Sequence, residues 1–108
     1  MNGDRLNIEP RHRATLTALF DENLPNVEVW AYGSRVNGKS HRGSDLDLVL
    51  RSSGLQKISR EDIAKFSEAL RESPIPFLVE VHDWAILPEL FHRQIERDYV
   101  VFIAGDDN

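Results

Sequence analysis

Asp45 and Asp47 stand two positions apart where an apolar run begins, ten residues beyond the pair Gly33–Ser34. On a β-strand that spacing sends both carboxylates to one face and Leu46, Leu48 and Leu50 to the other, which reads as core. Like charges held side by side repel strongly at protein-like dielectric, so such a pair calls for a cation between them. The chain has no cysteine. Oxygen ligands then favour a hard ion, Mg²⁺ or Mn²⁺. An isolated Asp-x-Asp is more often a turn cap followed by a solvated edge residue. Two features tell against that here: the glycine-rich loop directly before the pair, and Glu80 set between Val79 and Val81. On an alternating strand Glu80 could simply face solvent. As a third ligand beside Asp45 and Asp47, it would complete a site for two ions roughly 4 Å apart. Asp83, three positions on, points to the opposite face and is not expected to be a ligand.

The loop between these acids and the preceding strand suggests a second task. Gly33 allows close backbone approach to a ligand, and Ser34 can donate a hydroxyl or cap a short helix, turning N–H groups toward a phosphate. Arg35, Lys39 and Arg42 add positive charge. A Gly-Ser pair alone is usually an ordinary strand-ending turn. No Gly-Lys-Ser/Thr follows, so this is not a Walker loop. Arg35 could equally pair with an acidic residue, and His41 reads as a loop histidine.

Elements to position these residues follow in order. Pro10 suits the first turn of a helix carrying Leu16, Leu19 and Phe20, which ends at Asn23–Asn26. Val27–Tyr32 reads as a strand, and a second is expected at about Asp45–Arg51. Ser59 with Asp62 resembles a capping box ahead of Ile63, Phe66 and Leu70. Phe77–Trp84 is a third strand. Pro88 opens a helix with Leu87, Phe91 and Ile95 on one stripe, and Tyr99–Ile103 is a fourth strand. The order αβ(loop)βαβαβ predicts an α/β domain with a small mixed sheet flanked by helices. One domain over residues 1–108 is expected, with residues 1–8 as a leader and 105–108 as a flexible tail.

Composition sets limits. Apolar residues make up 41% and charged residues 29%, as in an ordinary globular chain. A net charge of −5 weighs against direct nucleic-acid binding. The charged start lacks an apolar signal segment, and no apolar run approaches the ~20 residues of a membrane helix, so a soluble cytoplasmic protein is expected.

Gly33-Ser34, ten residues, then Asp45-Leu46-Asp47 resembles the signature of the DNA polymerase β-like nucleotidyltransferase superfamily. The small size, the GSRVNG start and the VEVHDW strand look most like its minimal nucleotidyltransferase (MNT) members. The resemblance implies a polymerase β palm-like fold, with Gly33 and Ser34 holding the triphosphate of ATP. It implies that Asp45 and Asp47 bind two Mg²⁺ ions and that Glu80 fills the third-carboxylate position. That position is usually Asp in the family, and Asn37 replaces an arginine many relatives carry. Relatives of this size commonly occur with a HEPN-domain protein in toxin–antitoxin modules. There the MNT protein adenylylates a tyrosine of its partner. Transfer to a small molecule, or neutralisation by binding alone, are the alternatives.

Overall fold

The computed structural model describes residues 5–105. Four strands form one sheet: β1 (Glu28–Tyr32), β2 (Leu46–Arg51), β3 (Val79–Asp83) and β4 (Tyr99–Ile103), in the order β3-β2-β1-β4. Around it lie α1 (Pro10–Asn23), the single turn α2 (Ser34–Asn37), α3 (Arg60–Arg71) and α4 (Glu89–Arg97). β1 runs antiparallel to both β2 and β4, whereas β2 and β3 are parallel, joined by the α3 crossover. The mixed α/β sheet expected from the sequence is the one observed.

The strand pleat divides the side chains as their alternation predicts. Leu46, Leu48 and Leu50 are fully buried with Val29, Ala31 and Val100 against Leu16 and Phe20 of α1 and Phe66 of α3. Phe20 and Phe66 stack at 4.3 Å between ring centroids, locking the two helices together. Ser59 starts α3 by accepting the Asp62 N–H at 3.1 Å, the half of the capping box that ends the entering loop. On the other face, Leu87 just before α4 and Phe91 and Ile95 within it pack against Trp30, Val49 and Trp84. This cover reaches only part of the sheet, and the row beyond it carries the acidic residues.

Residues 5–8 correct the expected leader. Leu6 is buried in the main core, and Asn7 exchanges two hydrogen bonds with Arg35: its N–H donates to the Arg35 carbonyl at 2.7 Å and its own carbonyl accepts from Arg35 Nη1 at 2.8 Å. The rest of the expected leader (residues 1–4) and most of the expected tail (106–108) lie outside the described residues.

Arg35 is 5% exposed and braces the whole loop. Its Nε and Nη2 donate to the Ser44 carbonyl at 2.9 and 2.7 Å, and Nη2 also reaches the Arg42 carbonyl at 3.0 Å. The guanidinium lies 4.1 Å over the Phe77 ring. A buried cation with three carbonyl partners on two segments sets their spacing, and losing it leaves those acceptors without a donor. Arg35→Met, similar in length but unable to donate, is expected to lower stability by about 2–3 kcal/mol in urea unfolding. Loop residues 38–45 should then show faster amide exchange than the sheet.

Candidate active site

Register builds the site. Tyr32 of β1 lies opposite Asp47 of β2, and Asp47 lies beside Glu80 of β3. Three side chains from three strands therefore form one transverse row on the face opposite the main core. Exposure rises along it, from half-buried Tyr32 and Asp47 to exposed Glu80 at the edge strand. His82, two residues on, shares the face, with Nε2 4.0 Å from Glu80 Oε1.

Asp45 departs from its expected position inside β2. The strand begins at Leu46, whose N–H takes the Leu78 carbonyl at 2.9 Å, and Asp45 stands exposed just before it. Its charge nevertheless acts on Asp47. Burial pushes the Asp47 carboxyl above its ordinary value of 3.8, Glu80 and then Asp45 push it further, and His82 opposes them. Tyr32 responds to the same field: burial first, then Asp47 and Glu80, push its phenol up to about 12. The phenol therefore stays a donor beside acceptors at every physiological pH. Among the described residues, no three His, Cys, Asp or Glu side chains close into a ready metal cage. Asp45, Asp47 and Glu80 are neighbours that repel one another, with two of the three open to water.

Gly33 joins this row to the loop. It follows β1 with φ +87°, a conformation that L side chains rarely adopt, and a Cβ there would land on Asp47 Oδ2, 3.3 Å from Cγ. The close backbone approach foreseen at Gly33 is thus realised first against Asp47. α2 starts immediately after, with the Val36 and Asn37 N–H groups donating to the Gly33 carbonyl at 2.9 and 3.1 Å. The N–H groups of Ser34 and Arg35 head the turn, without an acceptor inside the helix.

The other expected phosphate ligands divide. The Arg35 side chain is not free to meet a phosphate: it is buried and committed to backbone carbonyls, which corrects its expected role. Lys39 and Arg42 are exposed on the loop, and Arg42 lines a separate cleft that includes neither Asp47 nor Glu80. His41 is a loop residue, its Nδ1 accepting the Gly43 N–H at 3.1 Å. Asp83 is internal as expected, accepting the Ile58 N–H at 2.8 Å and the Ala85 N–H at 3.1 Å. Sequence reasoning passed over Tyr32 and His82. His82 was within reach, two places from Glu80 on one strand. Tyr32 needed the β1–β2 register.

A sheet of this order with an acidic row at its open end defines a nucleotidyl-transfer scaffold, and comparison agrees. The nucleotidyltransferase domain family matches residues 14–104, and the chain belongs to it. This protein is a nucleotidyltransferase. It is 36% identical over 98 residues to a Haemophilus influenzae protein named probable protein adenylyltransferase MntA, covering 90% of this chain and 83% of that one. Two crystal structures share its fold. A toxin–antitoxin with AMP-PNP aligns with a TM-score of 0.70 at 17% identity, and a mutant of the toxin–antitoxin MntA-HpeT with 0.69 at 15%. Each covers 87% of this chain, and the aligned part is 74% of each neighbour.

Two outcomes follow. Gly33→Ala should displace the Asp47 carboxylate and lower kcat/KM about a hundredfold, the cost of misplacing a reacting group by an ångström, as read by pyrophosphate release. The second concerns pH. A carboxyl whose folded pKa is raised destabilises the fold once ionised. That penalty is absent well below 3.8 and complete above the raised folded value. In metal-free buffer, Asp47→Asn should therefore raise Tm at pH 7, with the gain vanishing by about pH 3.

Proposed function

We propose that this nucleotidyltransferase moves AMP from ATP to a hydroxyl of a partner protein, a tyrosine of a HEPN-domain toxin, and acts as its antitoxin in the cytoplasm. The observation that carries the reading is the cross-strand row of Asp47 and Glu80, with Asp47 packed against Gly33, in a chain 36% identical to a protein named probable protein adenylyltransferase. The toxin–antitoxin structures that share the fold add the setting. No helix of the described residues is long and apolar enough to cross a membrane.

The transfer is a displacement at phosphorus. The hydroxyl oxygen of the acceptor bonds the α-phosphorus, the bond to the bridging oxygen breaks, and pyrophosphate leaves while the hydroxyl proton passes to solvent. Gly33 and Ser34 offer backbone N–H groups and a hydroxyl to the triphosphate, with exposed Lys39 adding charge nearby. The donor set fits a divalent cation: oxygen ligands only, with Asp47 held against the charges of Glu80 and Asp45. Asp45, Asp47 and Glu80 would hold Mg²⁺ as two ions, or Mn²⁺ in its place. When bound, the metal neutralises the charge that builds on the phosphates. The protein's own part is to hold acceptor and donor in line, which supplies much of the rate. Tyr32, opposite Asp47 across the β1–β2 ladder, stays neutral beside the row and adds no charge to it.

Incubation with α-labelled ATP, Mg²⁺ and the product of the neighbouring gene should label that protein. Asp45→Ala with Asp47→Ala should cut labelling by at least about a hundredfold. Protection of cells by the double variant, with no label from wild type, would leave neutralisation by binding alone. Glu80→Gln should lower Mg²⁺-dependent turnover, and unchanged turnover would make Glu80 an ordinary strand residue.

A further inference from the structure

A cleft of about 730 Å³ opens at the start of α1, between residues 7–12, loop residues 41–43 and Pro76–Phe77. Its volume is that of a small-molecule site. Gly33, Ser34, Asp45, Asp47 and Glu80 are not among its lining residues, so it is distinct from the acidic row.

Its charge runs against that of the chain. The whole sequence carries −5, yet the cleft's charged lining is Arg11, Arg35 and Arg42 against Glu9 alone. Arg35 is spoken for by carbonyls. Arg11 meets Glu9 at 3.0 Å in an exposed pair, which water makes weak and exchangeable. Arg42 is exposed and has no ion-pair partner among the described residues.

His12 is a second, independent sign. It is 8% exposed, its ring sits edge-on to Phe77 at 5.6 Å, and its side chain makes no hydrogen bond among the described residues. The residue lines the cleft. A buried polar ring without a partner is costly unless something fills the space before it. The first turn of α1 adds to this. The helix starts at Pro10 with no side-chain cap and no acidic residue in its first turn, and Glu9 at the N-cap is the one negative charge beside the positive end of its dipole.

We infer that this cleft binds a phosphate-bearing anion, at a site separate from the acidic row. Arg11 and Arg42 supply charge, His12 a directed hydrogen bond, and Phe77 a flat apolar wall. The anion is either a free polyphosphate or the phosphate chain of a nucleotide.

Calorimetric titration of metal-free protein with inorganic pyrophosphate tests it. Wild type and Asp47→Asn should bind alike. Arg11→Ala with Arg42→Ala, both exposed and so harmless to folding, should weaken binding at least about tenfold. His12→Gln should weaken it too, and the His12 ring resonances of wild type should shift on saturation. Tighter binding of ATP than of pyrophosphate, lost in the same variants, assigns the site to nucleotides; equal binding assigns it to free polyphosphate. No binding at millimolar pyrophosphate, or binding lost in Gly33→Ala and indifferent to both arginines, overturns the site. Partner labelling is scored separately, so intact pyrophosphate binding without labelling counts against the proposed function and not against this cleft.

Discussion

The contact on which this structure turns is the one between the Gly33 backbone and the Asp47 carboxylate. Nothing but a hydrogen fits there, and the backbone at φ +87° is one that glycine adopts without penalty. Through this contact the end of β1 and the start of β2 share a boundary, although the connection between them is thirteen residues long (33–45). A loop of that length would ordinarily wander. Here its first residue touches Asp47, two positions beyond its last, and Arg35 donates to the Ser44 and Arg42 carbonyls. The outcome is a loop pinned at both ends and at Arg35.

Arg35 shows why charge type alone misleads. In the sequence it is a cation two residues after a glycine, in a loop suited to phosphate, and nothing local separates it from Lys39 or Arg42. What decides its role is the return of residues 5–8 across the loop and the arrival of Phe77 from beyond α3. Both are long-range events. Once they enclose the guanidinium, it is worth more to carbonyls that lack other donors than to a ligand it would have to leave them for.

Much else was legible because it rests on period and punctuation. The two-residue alternation of β2 assigned Leu46, Leu48 and Leu50 to the core, and the stripe of α4 assigned Leu87, Phe91 and Ile95 to the opposite face. Asp83 was set apart from Glu80 by parity alone, and its hydrogen bonds to Ile58 and Ala85 agree. Register was not legible. Tyr32 joins the acidic row because β1 pairs with β2 at that offset, and a one-residue slip would have faced it into the core. Asp45 was placed a residue too far into its strand, since nothing in the sequence says that the ladder opens with the Leu46 N–H.

The gradient along the row has a consequence for how a reaction could be run on so small a sheet. Tyr32 and Asp47 sit toward the interior, beside the Gly33 loop, and Glu80 with His82 sits at the edge strand, open to solvent. Burial makes charge on Asp47 costly, and the charge of the exposed Glu80 adds to that cost. On the function proposed above, the small donor nucleotide belongs at the loop end, where field and backbone are fixed. The acceptor belongs at the β3 edge, where space is free. Phe91 of α4 comes within 6.0 Å of His82 between ring centroids, while Ile86 before the helix and Leu90 in its first turn stay exposed. A macromolecular hydroxyl can approach along β3 without displacing any element of the fold. The openness of the edge, a defect for a self-contained enzyme, suits one whose acceptor brings its own surface.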